Sequence, residues 1–331
     1  MRNLGVTDIK LNRVGFGGIP IQRITQEATN EIIQELIKNK INFIDTARGY
    51  TVSESYIGNA IEGKRELFIL ATKSMARDYE TMKRDIGISL SNLKTNKIDL
   101  YQLHNVKLEE IDIVLGKNGA YQALKEAQEE GKIDYIGITS HSIETINKIL
   151  DTDKFDTIQF PYNIVENQGE EALKKANEKG IGTIIMKPLA GGALDDATLA
   201  IKYILSKDYI DVVIPGMDSI DQVKQNLEAS KDIRITDEDE QKIQIIKSTL
   251  GQRFCRRCGY CLPCPMGVSI PQNFLMEGYY TRYNLKEWAK ERYASMEGKA
   301  KDCIACGLCE SRCPYDLPII EMLKDVSEKL D

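Results

Sequence analysis

The stretch NFIDTARGYTVSESYIGNAIEGKRELFILATK, residues 42–73, holds two short apolar runs, NFIDTA (42–47) and LFILATK (67–73), on either side of a more polar segment. Runs of this length read as buried parallel strands, whose two faces are both covered and which therefore need no polar alternation. The pattern recurs in both directions. RVGFGGI (13–19) lies upstream; IDLYQLH (98–104), YIGITS (135–140), TIQFPYN (157–163), GTIIMKPL (182–189) and DVVIPGM (211–217) follow downstream. Helical stretches separate them. EATNEIIQELIKNK (27–40) puts Ile32, Ile33, Leu36 and Ile37 on one face, and ALKEAQEEGK (123–132) ends on a helix-stopping Gly131. Eight strands alternating with helices over about 230 residues is the count of a (β/α)8 TIM barrel. A doubly wound open sheet is the rival that periodicity alone leaves open.

At 331 residues the chain has room for a barrel and an appendage. Apolar residues make up 42% and charged residues 28%, an ordinary balance for a chain with a sizeable core. The net charge of −6 gives no support to a nucleic-acid partner held by bulk charge. The N-terminal MRNLGVTDIK lacks a signal peptide's apolar core, and no run nears the roughly 18 apolar residues of a membrane span. The expectation is a cytoplasmic protein with no membrane partner.

All eight cysteines fall after residue 254, four between Cys255 and Cys264 and four between Cys303 and Cys313. A disulfide framework would spread its cysteines to close loops; two tight groups with none left over point to metal. Charge divides at the same place, since residues 251–331 are almost neutral and the acidic excess lies before them. Thr236-Asp-Glu-Asp239 has the form of a capping box opening a helix to about Leu250, with Gly251 as its stop. The expected organisation is a barrel at 1–235, a linker helix at 236–250 and a small, mostly helical metal domain at 251–331. Residues 270–300 look helical and aromatic, with Tyr279, Tyr280, Tyr283 and Trp288 expected to pack around the metal.

Reactive groups in such a barrel sit at the C-terminal ends of the strands. Those ends hold Asp45, Lys73 and His104, with Tyr50 in the loop after the second strand. A phenol is a poor acid or base at neutral pH, but an adjacent ammonium favours the phenolate. Asp45 is the carboxylate that would keep a buried Lys73 charged, and His104 can orient a carbonyl. The set can protonate a developing alkoxide; with no activated serine or thiol, it does not point to acyl transfer. His141, the other histidine, ends the fifth strand as a substrate contact or a polar rim residue.

FIDTARGYTVSESYIGNAI (43–61), ATK (71–73) and LH (103–104) resemble, in order and spacing, the signatures of the aldo/keto reductase superfamily. The resemblance covers roughly residues 1–230. It implies a (β/α)8 barrel that reduces carbonyls with a nicotinamide cofactor, NADP or NAD. It also implies Tyr50 as general acid/base, Asp45 and Lys73 as its tuning pair, and His104 as substrate orienter. For the cofactor it implies Gly17, Gly18, Ile19 and Asp45 near the first strands, and Thr139, Ser140 and Gln159 on the nicotinamide carboxamide. Met186 or Lys187, before Pro188-Leu189, stands where many members stack a tyrosine. Gly216, Met217 and Gln222 occupy the places where members that bind a 2′-phosphate carry basic or hydroxyl residues, and Asn226 is retained.

Cys255-x2-Cys258-x2-Cys261-x2-Cys264-Pro and Cys303-x2-Cys306-x2-Cys309-x3-Cys313-Pro resemble a two-cluster bacterial ferredoxin, the first run being one residue short. By the crossing rule of that pattern, one [4Fe–4S] cluster takes Cys255, Cys258, Cys261 and Cys313, and the other takes Cys303, Cys306, Cys309 and Cys264. Zinc is the alternative, although zinc sites generally use two separated pairs. Barrel and tail together resemble aldo/keto reductases with a C-terminal ferredoxin-like domain. The first functional expectation is hydride transfer to a small-molecule carbonyl substrate, with structural or redox-sensing clusters. The alternative is an electron-transfer oxidoreductase whose clusters exchange electrons with a ferredoxin or another carrier.

Overall fold

The computed structural model describes residues 1–257, 259–282 and 285–331. The chain forms two compact units. The first comprises residues 1–163, 167–188 and 196–235; the second comprises 164–166, 189–195 and 236–331.

The first unit opens with an antiparallel hairpin of β1 (Arg2–Asn3) and β2 (Lys10–Leu11). Eight parallel strands follow: β3 (Phe16–Gly17), β4 (Phe43–Asp45), β5 (Ile69–Ser74), β6 (Ile98–Leu103), β7 (Ile133–Thr139), β8 (Thr157–Pro161), β9 (Gly182–Met186) and β10 (Val212–Val213). Each pairs with the next in chain order, and each coincides with one of the eight apolar runs, although β5 extends one residue past its run, to Ser74, and β7 begins two residues before its own, at Ile133. A doubly wound sheet would reverse its strand order partway; this one does not. Its ends meet, because Val14 bridges Val213 and Gly17 bridges Gly216, with Gly15 N donating to Val213 O at 2.8 Å. The barrel is the fold.

The helices between strands bury one face each. The helix Gln26–Lys38 is capped by Thr25, whose side chain accepts from Ala28 N, and it buries Ile32, Ile33 and Leu36, leaving Ile37 half-buried. Gly131, at φ 70°, takes the left-handed turn that closes the helix Ala120–Glu129. The hairpin was not foreseen in the apolar pattern. Its Leu4, Ile9 and Leu11 share one buried cluster with Phe43, Ala71, Leu100, Ile184 and Val212, filling the end of the barrel where the strands begin. Asp211 holds it there, accepting from Arg2 Nε at 2.7 Å and Gly5 N at 2.9 Å.

The expected capping box at Thr236 and Asp239 opens the helix Asp237–Thr249, which groups with the second unit. Gly251 is not the stop: the chain runs on through a 3-10 turn, Leu250–Gln252, that contains it. Helices Ile270–Thr281, Lys286–Ala294 and Ile319–Leu330 enclose a core of Val268, Ile270, Phe274, Tyr293, Leu317 and Leu323. Tyr279 and Tyr280 pack on it, whereas Trp288 is exposed and meets Tyr279 edge-on at 4.9 Å. Tyr283 lies outside the described residues.

Candidate active site and cysteine-lined cavities

Asp45 ends β4, Lys73 lies one residue before the end of β5, and His104 follows β6 directly, so parallel pairing brings the three to one end of the barrel. Lys73 Nζ donates to Asp45 Oδ2 at 2.5 Å and to Thr46 O at 2.9 Å, and both side chains are almost fully buried. The same ammonium sits 5.1 Å from the centroid of the Tyr50 ring, which meets His104 edge-on at 5.9 Å. The four residues therefore stand together.

The charges of this group follow from its burial. Burial disfavours the Lys73 ammonium, but Asp45 and Tyr50 outweigh it and hold Lys73 above its ordinary value. Burial likewise lifts the Asp45 carboxyl, against the opposing pull of Lys73 and of hydrogen bonds from Gln102 and Gln159. His104 is pushed down to about 3 by burial, with Lys73 and Arg77 adding to the effect. Its imidazole is neutral at neutral pH, and its Nδ1 is buried without a hydrogen-bond partner. A neutral imidazole beside a phenol, itself next to a buried ammonium, can orient a carbonyl oxygen and give it a proton.

The residues expected around a cofactor are spread more widely. Gly17 and Gly18 are buried at the end of β3, Gly18 N donating to Asp45 O at 2.8 Å, and Ile19 is exposed. Thr139 ends β7 and Ser140 follows it, and both hydroxyls bond the neighbouring loop: Thr139 Oγ1 accepts from Asn105 N at 2.6 Å and Ser140 Oγ donates to Val106 O at 2.7 Å. Gln159 is buried on β8 with its Oε1 unpartnered. Met186 and Lys187 are half-buried, Lys187 in a left-handed turn at φ 57°, and Pro188 is buried. Leu189 falls in the second unit. Gly216 is exposed, Met217 is wholly buried, Gln222 Oε1 accepts from Asp218 N at 2.7 Å, and Asn226 is buried. His141 Nδ1 pairs with Asn105 Oδ1 at 2.7 Å. Sequence reasoning missed Gln102 and the Arg23–Asp218 ion pair at 2.8 Å; the available signal was a glutamine inside an apolar strand.

In the second unit the cysteines line two cavities. Cys264, Cys303, Cys306 and Cys309 line one, with Cys261 also on its wall; Cys255, Cys261 and Cys313 line the other. Cys258 lies outside the described residues. Both runs start with the same local geometry. Arg257 and Ala305 are left-handed at φ 57° and 55°, each donating its N–H to the sulfur two residues back, Cys255 or Cys303, at 3.4 Å; Gly259 and Gly307 are left-handed two residues later. Among the described residues no three metal-binding side chains close on a single point, as one ion would require.

Residues 13–199 match the aldo/keto reductase family and residues 254–318 match a 4Fe-4S dicluster domain. The uncharacterized oxidoreductase YqkF of Bacillus subtilis is 26% identical over 297 residues, spanning 73% of this chain and 95% of that protein. L-galactose dehydrogenase of Arabidopsis thaliana is 25% identical over 301 residues, spanning 76% and 94%. Among solved structures, the holo form of aldo-keto reductase AKR11C1 from Bacillus halodurans is 28% identical with a TM-score of 0.65, covering 74% of this chain and 95% of its own.

Proposed function

Because the chain belongs to the aldo/keto reductase family and carries a 4Fe-4S dicluster domain, we propose that it interconverts a small-molecule carbonyl and its alcohol using a nicotinamide cofactor. The observation that carries this reading is the buried Lys73 ammonium held between Asp45 and the Tyr50 ring. A bound nicotinamide supplies or accepts the hydride. Neutral His104 donates a hydrogen bond that orients the carbonyl oxygen. Tyr50 gives that oxygen a proton, and Lys73 lowers the cost of the phenolate left behind. Gln159, with a buried amide oxygen lacking a donor, fits a carboxamide NH2. Ser140 is less suited as a donor, its hydroxyl proton being given to Val106 O, whereas Thr139 Oγ1 accepts from Asn105 N and keeps its proton to give.

The test is a screen of small aldehydes and ketones on anaerobically prepared protein. Tyr50→Phe should cut reduction by about 100-fold, the usual scale for a general acid, with cofactor affinity little changed. Near-normal turnover in that variant would remove Tyr50 from the mechanism.

In the tail, two cavities each lined by three or more described cysteines suit multi-atom thiolate clusters. We assign Cys255, Cys258, Cys261 and Cys313 to one [4Fe–4S] cluster and Cys264, Cys303, Cys306 and Cys309 to the other. The two cavities divide the described cysteines in the same way, with Cys261 on both walls. The N–H donors at Arg257 and Ala305 favour thiolate over thiol. Such clusters would fold the tail and respond to oxidants. The exposure of Cys306 favours a second reading, in which that cluster exchanges single electrons with a carrier protein; co-purification of a flavin would support it.

A further inference from the structure

We propose that Gln102 is a positioning residue for the acid–base group: its amide fixes the Asp45 carboxylate against Lys73 and so sets how readily Tyr50 gives up its proton. This rests on the tyrosine-acid reading above.

Gln102 lies on β6, wholly buried, in register with Lys73 on β5 and Gly137 on β7. Its Nε2 donates to Asp45 Oδ1 at 3.2 Å, while Lys73 holds Oδ2 at 2.5 Å. Oδ1 thus takes the Gln102 amide and Oδ2 the ammonium, with Gln159 of β8 as a further hydrogen-bonding neighbour of the carboxylate. That orientation leaves Gln102 Oε1 buried with no donor. Barrel interiors are ordinarily filled with Val, Ile and Leu, which carry no such penalty. The neighbouring strand also makes room. A Cβ on Gly137 would lie 2.9 Å from Gln102 Cγ and 2.3 Å from Thr157 Oγ1, so a side chain there would displace the glutamine. Two positions on adjacent strands therefore serve one amide.

The chemical consequence runs through the pair. An amide donor on Oδ1 stabilises the Asp45 carboxylate against taking the Lys73 proton in a buried site. Without it the proton shifts toward Asp45, the pair becomes neutral, and the charge that favours the Tyr50 phenolate is lost. The groups that bear on Tyr50 are Lys73 from β5, with Asp45 of β4 behind it, and neutral His104 after β6, itself next to Arg77.

The test is a direct titration of Tyr50 in the intact, anaerobically prepared protein. Tyrosine labelled with 13C at Cζ is followed by NMR, and the Tyr50 signal is the one missing from Tyr50→Phe. In Gln102→Met, which keeps the unbranched stem and removes the donor, the Tyr50 midpoint should rise by about one pH unit, a tenfold change in its proton equilibrium. Gln102→Leu should do the same, and nicotinamide affinity should change less than about twofold in either. An unchanged midpoint in a folded variant overturns the proposal. So does failure of both variants to fold, which would make the amide a packing requirement. Failure of the acid reading is separate, since it appears as retained turnover in Tyr50→Phe whatever the titration shows.

Discussion

Arg48 Nη1 donates to the Glu54 carboxylate at 2.7 Å, tying together the two ends of the short loop that carries Tyr50. Glu54 is buried, and its remaining acceptor sites take Thr72 Oγ1 at 2.8 Å, Ser89 Oγ at 2.7 Å and Asn92 Nδ2 at 3.1 Å. Arg48 N also donates to Lys73 O at 2.9 Å, pinning the loop to β5. The phenol is aimed by a charge that never touches it.

Glu54→Ala should therefore lower stability by about 3–5 kcal/mol, because it removes the carboxylate partner of Arg48 and an acceptor of the buried Thr72 and Ser89 hydroxyls and of the half-buried Asn92 amide. Denaturant unfolding measures this, and a loss under about 1 kcal/mol would mean the network is dispensable.

Lys73→Met should lose activity by about 100-fold and should also be destabilised, since Asp45 keeps a buried charge without its ion-pair partner. Asp45→Asn combined with Lys73→Met removes both charges, so the double variant should melt higher than Lys73→Met alone. Equal melting temperatures would show that the pair is not coupled.

His104 titrates at about 3 in the folded chain against 6.5 as the ordinary value. Between those limits the unfolded chain binds a proton that the folded chain does not, so stability is full above about pH 6.5 and falls as pH drops toward 3. His104→Gln should flatten this part of the curve of melting temperature against pH. An unchanged slope would mean other groups control acid lability.

Anaerobic protein should carry about eight irons per chain. Cys264→Ser should lose one cluster, and adding Cys303→Ser should cost no further iron, because both serve the same quartet. Cys264→Ser with Cys255→Ser should empty both. The reverse pattern would establish uncrossed ligation.

NADH should bind about as well as NADPH. Gly216 and Gln222 offer a 2′-phosphate no cation, and Arg23 is already paired with Asp218. Fluorescence titration of both nucleotides decides it; a preference for NADPH beyond about 100-fold, roughly 2.7 kcal/mol, would mean other basic residues do that work.

The barrel was legible because a buried parallel strand is written as a short, mainly apolar run, and all eight were. Asp45, Lys73 and His104 could be placed from the same runs, since strand ends fix which residues share a mouth. The hairpin was not, because strands of two residues leave no periodicity. Gln102 stood in view within IDLYQLH, yet its partner is 57 residues away in sequence, and only closure of the sheet brings the two within hydrogen-bond reach. Ser140 shows the converse: residue type suggests a hydroxyl proton free to give, and the loop folds back to take it.

The hairpin turns the barrel into a vessel with a floor. With Leu4, Ile9 and Leu11 wedged where the strands begin, that end of the barrel is filled with apolar side chains, and Asp45, Lys73 and His104 lie toward the opposite end. Met1 is exposed on the floor side. A tether attached there would grip the barrel by its base and leave its reacting groups turned away from the support.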